Sequence, residues 1–271
     1  MNIFCVGQVI ISAIFKGLAA EGVSVFDFAV LRALAGLICI SFVCWYNKSL
    51  PWVAMPKRHY VKMATRSCLG TWNFITVYWV VTIMPLSLQM IIFQTQPFWA
   101  SILAVIFLAE SIMLIEYLGM AVCFAGVMFI AFYKGDSSQV DTGSNRILLG
   151  VLLSFGTAWA ESFINLFNRM MADVDWYIVC FWHSAIGLIS PLIVIAIEAL
   201  IQGEIRIVVA YDSRQWGLLV LASFLDFVIL SASIIAAQAC SLTFISLIMY
   251  LLVFYAFLVD ILYFHESFTL I

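Results

Sequence analysis

Charge is scarce in this sequence. Only 10% of the 271 residues are charged, 65% are hydrophobic, and the formal net charge is -3. A soluble domain is usually about one-quarter charged and about half apolar. The few charges are spread along the chain, which gives no indication of a nucleic-acid-binding surface or of a trap for acidic substrates. The composition instead predicts an integral membrane protein.

Sequence motifs for several chemistries are also missing. The sequence contains no GxxxxGK[ST] loop, no HExxH and no GxSxG, so nothing indicates nucleotide hydrolysis, and an intramembrane enzyme is disfavoured. The three histidines are scattered, and the seven cysteines are odd in number and lack a CxxC pair. This argues against a metal site and against a disulfide framework. No metal or cofactor is therefore expected.

Long apolar runs are what the sequence has in abundance. An apolar segment of roughly 20 residues can cross a bilayer as a helix, because a helix satisfies its own backbone hydrogen bonds. The first run begins at Met1 without a charged leader, and we interpret it as a retained helix and not as a signal peptide. The nine predicted spans are 2–20, 26–46, 65–84, 87–108, 112–133, 147–170, 176–200, 215–238 and 241–264.

The loops predict an orientation in the membrane. The loop 47–66 contains five of the twelve Lys and Arg residues. Basic loops favour the cytoplasmic side, so this loop and the N-terminus are expected to face the cytosol. Asn47, in the N-glycosylation acceptor "NKS", faces the cytosol on this topology.

The sequence resembles itself at two spacings. A shift of 156 residues lays 96–111 on 252–267, and a shift of 153 lays the first predicted helix on the sixth, with Gln8 on Glu161. A repeat unit of five helices ends on the opposite side of the membrane from its start, so its second copy must be inverted. Inverted repeats occur in many secondary transporters, which bind their solute near the midplane between the two copies.

The segment "QPFWASILAVIFLAESIMLIEYLGMAVCFAGVMFIAF" (96–132) resembles the fourth and fifth helices of the EamA, or drug/metabolite transporter, superfamily. The matching residues are Pro97, Ala100, Ala104, Leu108, Glu110, Gly119 and Gly126, together with Arg32 near the start of the second helix. The resemblance implies an all-α polytopic membrane protein built from two inverted five-helix repeats, here 1–135 and 147–271. The family pattern has ten helices, whereas this chain stops at Ile271, so we expect nine helices with the tenth missing at the C-terminus. Val253 also departs from the pattern, because the second repeat often has a proline there.

Polar side chains inside the predicted spans form the candidate site. A central Asp or Glu costs roughly 2.5–3.5 kcal/mol on insertion scales, and it persists only with a partner or a wet cavity. Glu161 and Asp226 lie deep in their spans, and Lys16 is expected to pair with one of them. Polar stripes at helical spacing predict a shared lumen, although such residues also join helices by hydrogen bonds of about 1 kcal/mol without any other role. The predicted substrate-binding residues are Gln8, Ser12, Lys16, Asn73, Gln96, Glu161, Asn165, Asp226 and Ser233.

Several further residues leave alternatives open. Pro97 bends its helix and frees the carbonyl of Phe93, either to line a cavity or merely to improve packing. Glu110 and Glu266 are expected to have structural roles at the membrane edge.

Three more ionisable residues are equally ambiguous. Arg32 lies near an end of its span, where it can snorkel to the interface. His183 is expected to pack by hydrogen bonding more than to relay protons. Asp260 either reaches the headgroups or serves function.

These features predict a secondary-type carrier in the lipid bilayer that moves a small-molecule substrate by alternating access through a central polar cavity. The alternative is a non-transporting membrane scaffold or subunit with a degenerate fold of the same type. A cavity that reaches Glu161 and Asp226 favours the carrier, whereas a solid apolar core favours the scaffold. A coupling proton and a homo-oligomer are left open by the sequence.

Overall fold

The computed structural model describes residues 2–83, 86–109, 114, 115, 117–122, 125, 144–202 and 211–262. Helices dominate these residues, and none of them forms a β-strand. A short 3-10 turn at Lys57–His59 precedes the fourth helix. The helices, numbered here in chain order, are α1 (Asn2–Ala20), α2 (Val25–Tyr46), α3 (Pro51–Ala54), α4 (Tyr60–Ile83), α5 (Leu86–Phe93), α6 (Gln96–Leu108), α7 (Ser144–Met170), α8 (Trp176–Gln202), α9 (Ser213–Ala239), α10 (Leu242–Met249) and α11 (Leu251–Leu262).

Six stretches of the described residues are long and apolar enough to cross a membrane. They lie in α1, α2, the α5–α6 region, α7, α8 and α9, and they coincide with six of the predicted spans. The helix α4 overlaps the predicted span 65–84 but begins five residues earlier, at Tyr60. It carries more polar residues than the six stretches above and is not one of them. The predicted span 241–264 is divided between α10 and α11.

Some predictions fall on other parts of the chain. The predicted span 112–133 lies largely outside the described residues, as do Glu110, Glu266 and the side chain of Asp260. The structural roles expected for these residues therefore stay predictions.

The helix starts follow local chemistry. At the start of α2, the Ser24 hydroxyl accepts a hydrogen bond from the backbone N–H of Phe26 at 3.3 Å. At the start of α9, Asp212 and Gln215 form a capping box. Both arrangements satisfy backbone donors that a first helical turn leaves unpaired.

Helices from before residue 110 pack against helices from after residue 143. The main pairs are α2 with α8, α4 with α7 and with α8, α1 with α9, and α2 with α9. An aromatic cluster joins α1, α2 and α4, in which Phe15 stacks on Phe28 at 5.2 Å and Phe74 lies 4.5 Å from Tyr78. The two parts of the chain therefore share one interior and do not form separate bundles.

Two of the apolar segments are interrupted. One break separates α5 from α6 at Gln94 and Thr95, and the other separates α10 from α11 at Tyr250. The side-chain amide of Gln94 donates to the backbone carbonyl of Met249 at 3.1 Å, so the two breaks lie against each other. Pro97 is the second residue of α6, where its missing N–H costs little. The predicted bend near Pro97 corresponds to a short turn at Gln94 and Thr95 between α5 and α6.

Candidate functional site

A polar cavity of about 100 Å³ lies between the two parts of the chain. Residues from α1, α2, α4, α5, α7, α8, α9 and α11 line it, so it draws on both the early and the late helices. Its polar lining is Gln8, Arg32, Arg66, Asn73, Tyr78, Gln89, Glu161, Asn168, His183, Asp226 and Ser233.

An ion pair lies in the wall of the cavity. Arg32 on α2 donates from Nε to Oδ2 of Asp226 on α9, and their side chains are 14% and 9% exposed. The guanidinium also lies 4.0 Å from the ring centroid of Phe74, a cation–π contact, and Nη2 lies 3.5 Å from Nε2 of His183. The positive charge of Arg32 is therefore neutralised by a carboxylate within the protein.

Glu161 on α7 has neutral partners instead. Its Oε2 accepts a hydrogen bond from the side-chain amide of Asn73 at 2.8 Å, and its Oε1 accepts a longer one from Asn165 at 3.5 Å. Asn165 lies one helical turn further along α7, so the pair shares one face. The carboxylate is held in place without a cation within 4 Å among the described residues.

Arg66 on α4 is the most deeply buried cation of the site. Arg66 is only 1% exposed, and its Nε donates to Oδ1 of Asn168 on α7 at 2.8 Å. Within the described residues, its Nη1 has no hydrogen-bond partner. Arg66, Gly70, Asn73 and Val77 follow one another at helical spacing, and all four line the cavity.

The structure brings together five of the nine predicted site residues. Gln8, Asn73, Glu161, Asp226 and Ser233 line the cavity. Two of them, Glu161 and Asp226, are the acids that the sequence places deep in their helices.

The other four predicted residues do not line it. Ser12 donates to the carbonyl of Gln8 at 2.8 Å, and Asn165 lies behind Glu161 as its hydrogen-bond donor. Gln96 is buried at the start of α6, and its carbonyl accepts from Ser162. Lys16, predicted to pair with Glu161 or Asp226, is half-buried on α1, whereas Asp226 pairs with Arg32 and Glu161 accepts from two amides.

Sequence reasoning assigned other roles to several lining residues. The sequence allows Arg32 to snorkel to the interface and favours a packing role for His183, and the structure places both in the cavity wall. Arg66 was counted with the basic loop because its span was expected to begin at 65, whereas α4 begins at Tyr60 and carries Arg66 into the interior. The shared face of Arg66 and Asn73, seven residues apart, is the signal that could have found it.

A second cavity, of about 580 Å³, lies between α2, α4, α7 and α8. It is larger, but no charged residue lines it, and Trp72 and Trp79 on its wall are exposed. An exposed apolar wall in a membrane protein faces lipid. The smaller cavity, with its four charged side chains and a histidine, is therefore the candidate functional site. Across the part of the chain that the structure describes, no group of three His, Cys, Asp or Glu could hold a metal ion.

Comparisons with known proteins agree with this architecture. A crystal structure of a protein superposes on 99% of this chain and 92% of its own, with a TM-score of 0.71 and 13% sequence identity, a likeness that shows the fold alone. No curated protein sequence matches the chain. Residues 4–132 match the model of the EamA-like transporter family. This match agrees with the six long apolar helices and confirms that the segment 96–132 resembles the drug/metabolite transporter superfamily, so the chain is an integral, multi-pass membrane protein whose residues 4–132 match the EamA-like transporter family.

Proposed function

We propose that this protein is a secondary carrier that moves a small organic solute by alternating access through the charged cavity. The carrier consists of two repeats, residues 1–135 and 147–271, inverted relative to each other, which rock about the cavity between them. The observation that carries the proposal is the cavity itself, because arginines from the first repeat and acids from the second converge on it.

The helix bounds support the repeat. A shift of 156 residues carries α5 (Leu86–Phe93) onto α10 (Leu242–Met249) at both ends. The same shift carries the first break at Gln94 onto the second break at Tyr250. A shift of 153 residues carries the start of α4 at Tyr60 onto the start of α9 at Ser213.

The packing also supports the repeat. Exchange of the two halves pairs α1 with α7, α4 with α9, α5 with α10 and α6 with α11. Under this exchange the contact of α4 with α7 becomes the contact of α9 with α1. The contact of α6 with α10 likewise becomes the contact of α11 with α5. The structure contains all four contacts. A pseudo-two-fold axis through the α2–α8 contact accounts for these paired contacts.

Corresponding residues of the two halves line the cavity. The shift of 153 residues lays Gln8 on Glu161 and Asn73 on Asp226, and all four line the cavity. In each pair the second repeat supplies a carboxylate where the first supplies an amide. Because Asp226 is neutralised by Arg32, Glu161 is the acid that pairs with a cationic group of the solute or carries a coupling proton.

Alternating access is testable without knowledge of the solute. Ser233 and Ser223 are both buried on α9, but only Ser233 lines the cavity. A cysteine at Ser233 (Ser233→Cys) is expected to react with a membrane-impermeant maleimide from either side of the membrane, in right-side-out and in inverted vesicles. The matched variant Ser223→Cys is expected to react from neither side, and the unsubstituted chain gives the background of the native cysteines.

Two outcomes of this experiment contradict the carrier. Reaction of Ser233→Cys from neither side means a closed core, which fits the membrane scaffold. Reaction from one side only means a pocket that does not alternate.

A further inference from the structure

Arg66 carries a buried charge that makes no direct ion pair with another described residue. None of the ion pairs within 4 Å among the described residues includes Arg66. Asp226 pairs with Arg32, whereas Glu161 attracts Arg66 electrostatically but makes its hydrogen bonds with Asn73 and Asn165. A buried guanidinium without an anion is costly in the membrane interior and persists only with a partner or a wet cavity.

Two of the unpartnered donors in the cavity wall belong to adjacent side chains, while the Tyr78 hydroxyl and Nδ1 of His183 in the same wall also lack a partner among the described residues. Oδ1 of Asn168 accepts from Nε of Arg66, which assigns Nδ2 as the amide donor of Asn168. Nδ2 of Asn168 and Nη1 of Arg66 are both buried, and neither has a hydrogen-bond partner in the described part of the chain. Both residues line the cavity and are 1% exposed. At this point of the cavity wall a cation and an amide donor therefore lie side by side, each with a donor that has no acceptor, while the unpartnered acceptors of the wall belong to Asn73 and Gln89.

We infer that Arg66 and Asn168 form an anion-binding subsite, and that the solute carries a carboxylate that binds there. A planar guanidinium edge matches the two oxygens of a carboxylate, and the amide donor adds a second contact point. A dry cavity of about 150 Å³ holds benzene, so the present volume of about 100 Å³ suits a small carboxylate group. This inference deepens the proposed function and depends on it for the identification of the ligand as a transported solute.

Propionate is the probe for the subsite, with propionamide as its neutral analogue and methylammonium as the opposite charge. Binding is measured as the shift of the thermal unfolding midpoint of the detergent-purified protein, with ionic strength held constant by sodium chloride. Sodium propionate is expected to raise the midpoint in a saturable manner, whereas propionamide is not, and any effect of methylammonium chloride, which Glu161 can bind, is expected to persist in Arg66→Gln. Equal effects of propionate and propionamide, or stabilisation by methylammonium alone, would overturn the inference.

Two variants test the residues. Arg66→Gln removes the cation. Asn168→Asp replaces the amide beside Arg66 with a carboxylate of nearly the same shape. Each is expected to weaken propionate binding by about tenfold or more, and Asn168→Asp is expected to unfold at or above the wild-type midpoint because the guanidinium gains an internal partner. The second variant keeps the test valid if the first fails to fold.

The control variant is Arg58→Gln, because Arg58 is an exposed arginine away from the cavity. It is expected to keep the wild-type response to propionate. A wild-type affinity in both Arg66→Gln and Asn168→Asp contradicts the assignment.

The subsite and the carrier fail in different ways. If propionate does not bind but Ser233→Cys is labelled from both sides, the carrier stands and the carboxylate assignment falls. If propionate binds through Arg66 but Ser233→Cys is closed to both sides, the protein binds a carboxylate without transporting it.

Discussion

Arg32 and Asp226 illustrate how single charges organise the interior of this protein. The two residues are 194 positions apart in sequence, yet their side chains form an ion pair between α2 and α9. Two charges removed from water regain their hydration energy only with a close partner, and removal of one partner leaves the other charge buried alone. The pair is therefore expected to matter for stability chiefly through the penalty of breaking it.

A double-substitution cycle measures that penalty. Arg32→Met and Asp226→Leu are each expected to destabilise the protein by roughly 3–5 kcal/mol, while the double variant recovers most of the loss because no unpaired charge remains. The measurement is the unfolding midpoint of the purified protein in detergent. Transport is expected to be lost in all three variants.

The exposed ion pair between Arg214 and Glu21 is the control for this cycle. Its atoms are 3.0 Å apart, but the side chains are 68% and 37% exposed. Arg214→Met and Glu21→Leu are expected to cost about 1 kcal/mol or less. Equal effects of the buried and the exposed pairs would mean that Arg32 and Asp226 do not hold α2 against α9.

The sequence could identify the buried acids but not their partners. Helical spacing and depth in the span are local properties, and they correctly brought Glu161 and Asp226 to the cavity. Pairing depends on which helices become neighbours, and for that reason the sequence, which predicts Lys16 as the partner of either Glu161 or Asp226, does not reveal that Asp226 pairs with Arg32. Arg66 was overlooked because the start of its helix was placed five residues too late.

At the scale of the helices, glycines set the closest approaches. A Cβ atom on Gly7 of α1 would lie 2.4 Å from Cδ1 of Ile229 on α9, whereas a Cβ on Gly17 of the same helix would meet nothing within 4 Å. A Cβ on Gly70 of α4 would similarly lie 2.8 Å from the ring of His183. Small residues at such crossings let helix backbones pack closely in membranes, where apolar surface alone does not drive association.

Gly7→Ala and Gly17→Ala form a matched pair in one helix. Both gain helix propensity, but only Gly7→Ala must displace Ile229, so it is expected to be less stable than Gly17→Ala by about 1–3 kcal/mol. Thermal unfolding of the two purified variants makes the comparison. Addition of Ile229→Val, which removes Cδ1, is expected to restore part of the loss in Gly7→Ala. If the two glycine variants unfold together, the α1–α9 contact is looser than the structure indicates.

Helix positions were predictable from sequence, but the helix breaks were predictable only in part. Apolar length located α1, α2, α8 and α9 within a few residues, because a membrane helix must satisfy its own backbone. Pro97 signalled the break before α6, although the sequence predicted only a bend. The break at Tyr250 has no proline beside it, and the Gln94 side chain that bonds the Met249 carbonyl comes from a distant part of the chain.

At the scale of the whole molecule, two groups of contacts between loops mark the two ends of the helix bundle. Arg58 and His59, before α4, hydrogen-bond with Asp173, between α7 and α8. Partial burial would raise the pKa of Asp173, but these hydrogen bonds outweigh it and lower the pKa below the ordinary value. Glu21, between α1 and α2, instead pairs with Arg214 at the start of α9. Each loop therefore touches a loop that the predicted topology places on the same side of the membrane.

The orientation of these ends follows from the basic loop and can be tested by labelling. The positive-inside rule places the end with Arg58 and Asp173 in the cytosol and the end with Glu21 outside. Asp173→Cys and Glu21→Cys put a thiol at each end, on side chains that are 42% and 37% exposed in the native chain. In intact cells an impermeant maleimide is expected to label Glu21→Cys above the background of the unsubstituted chain, and to label Asp173→Cys only after permeabilisation. The reverse pattern would invert the orientation while keeping the arrangement of helices. An odd number of predicted spans lies between Glu21 and Asp173, which places the two residues on opposite sides of the membrane. Labelling of both variants in intact cells would therefore contradict the arrangement of helices itself.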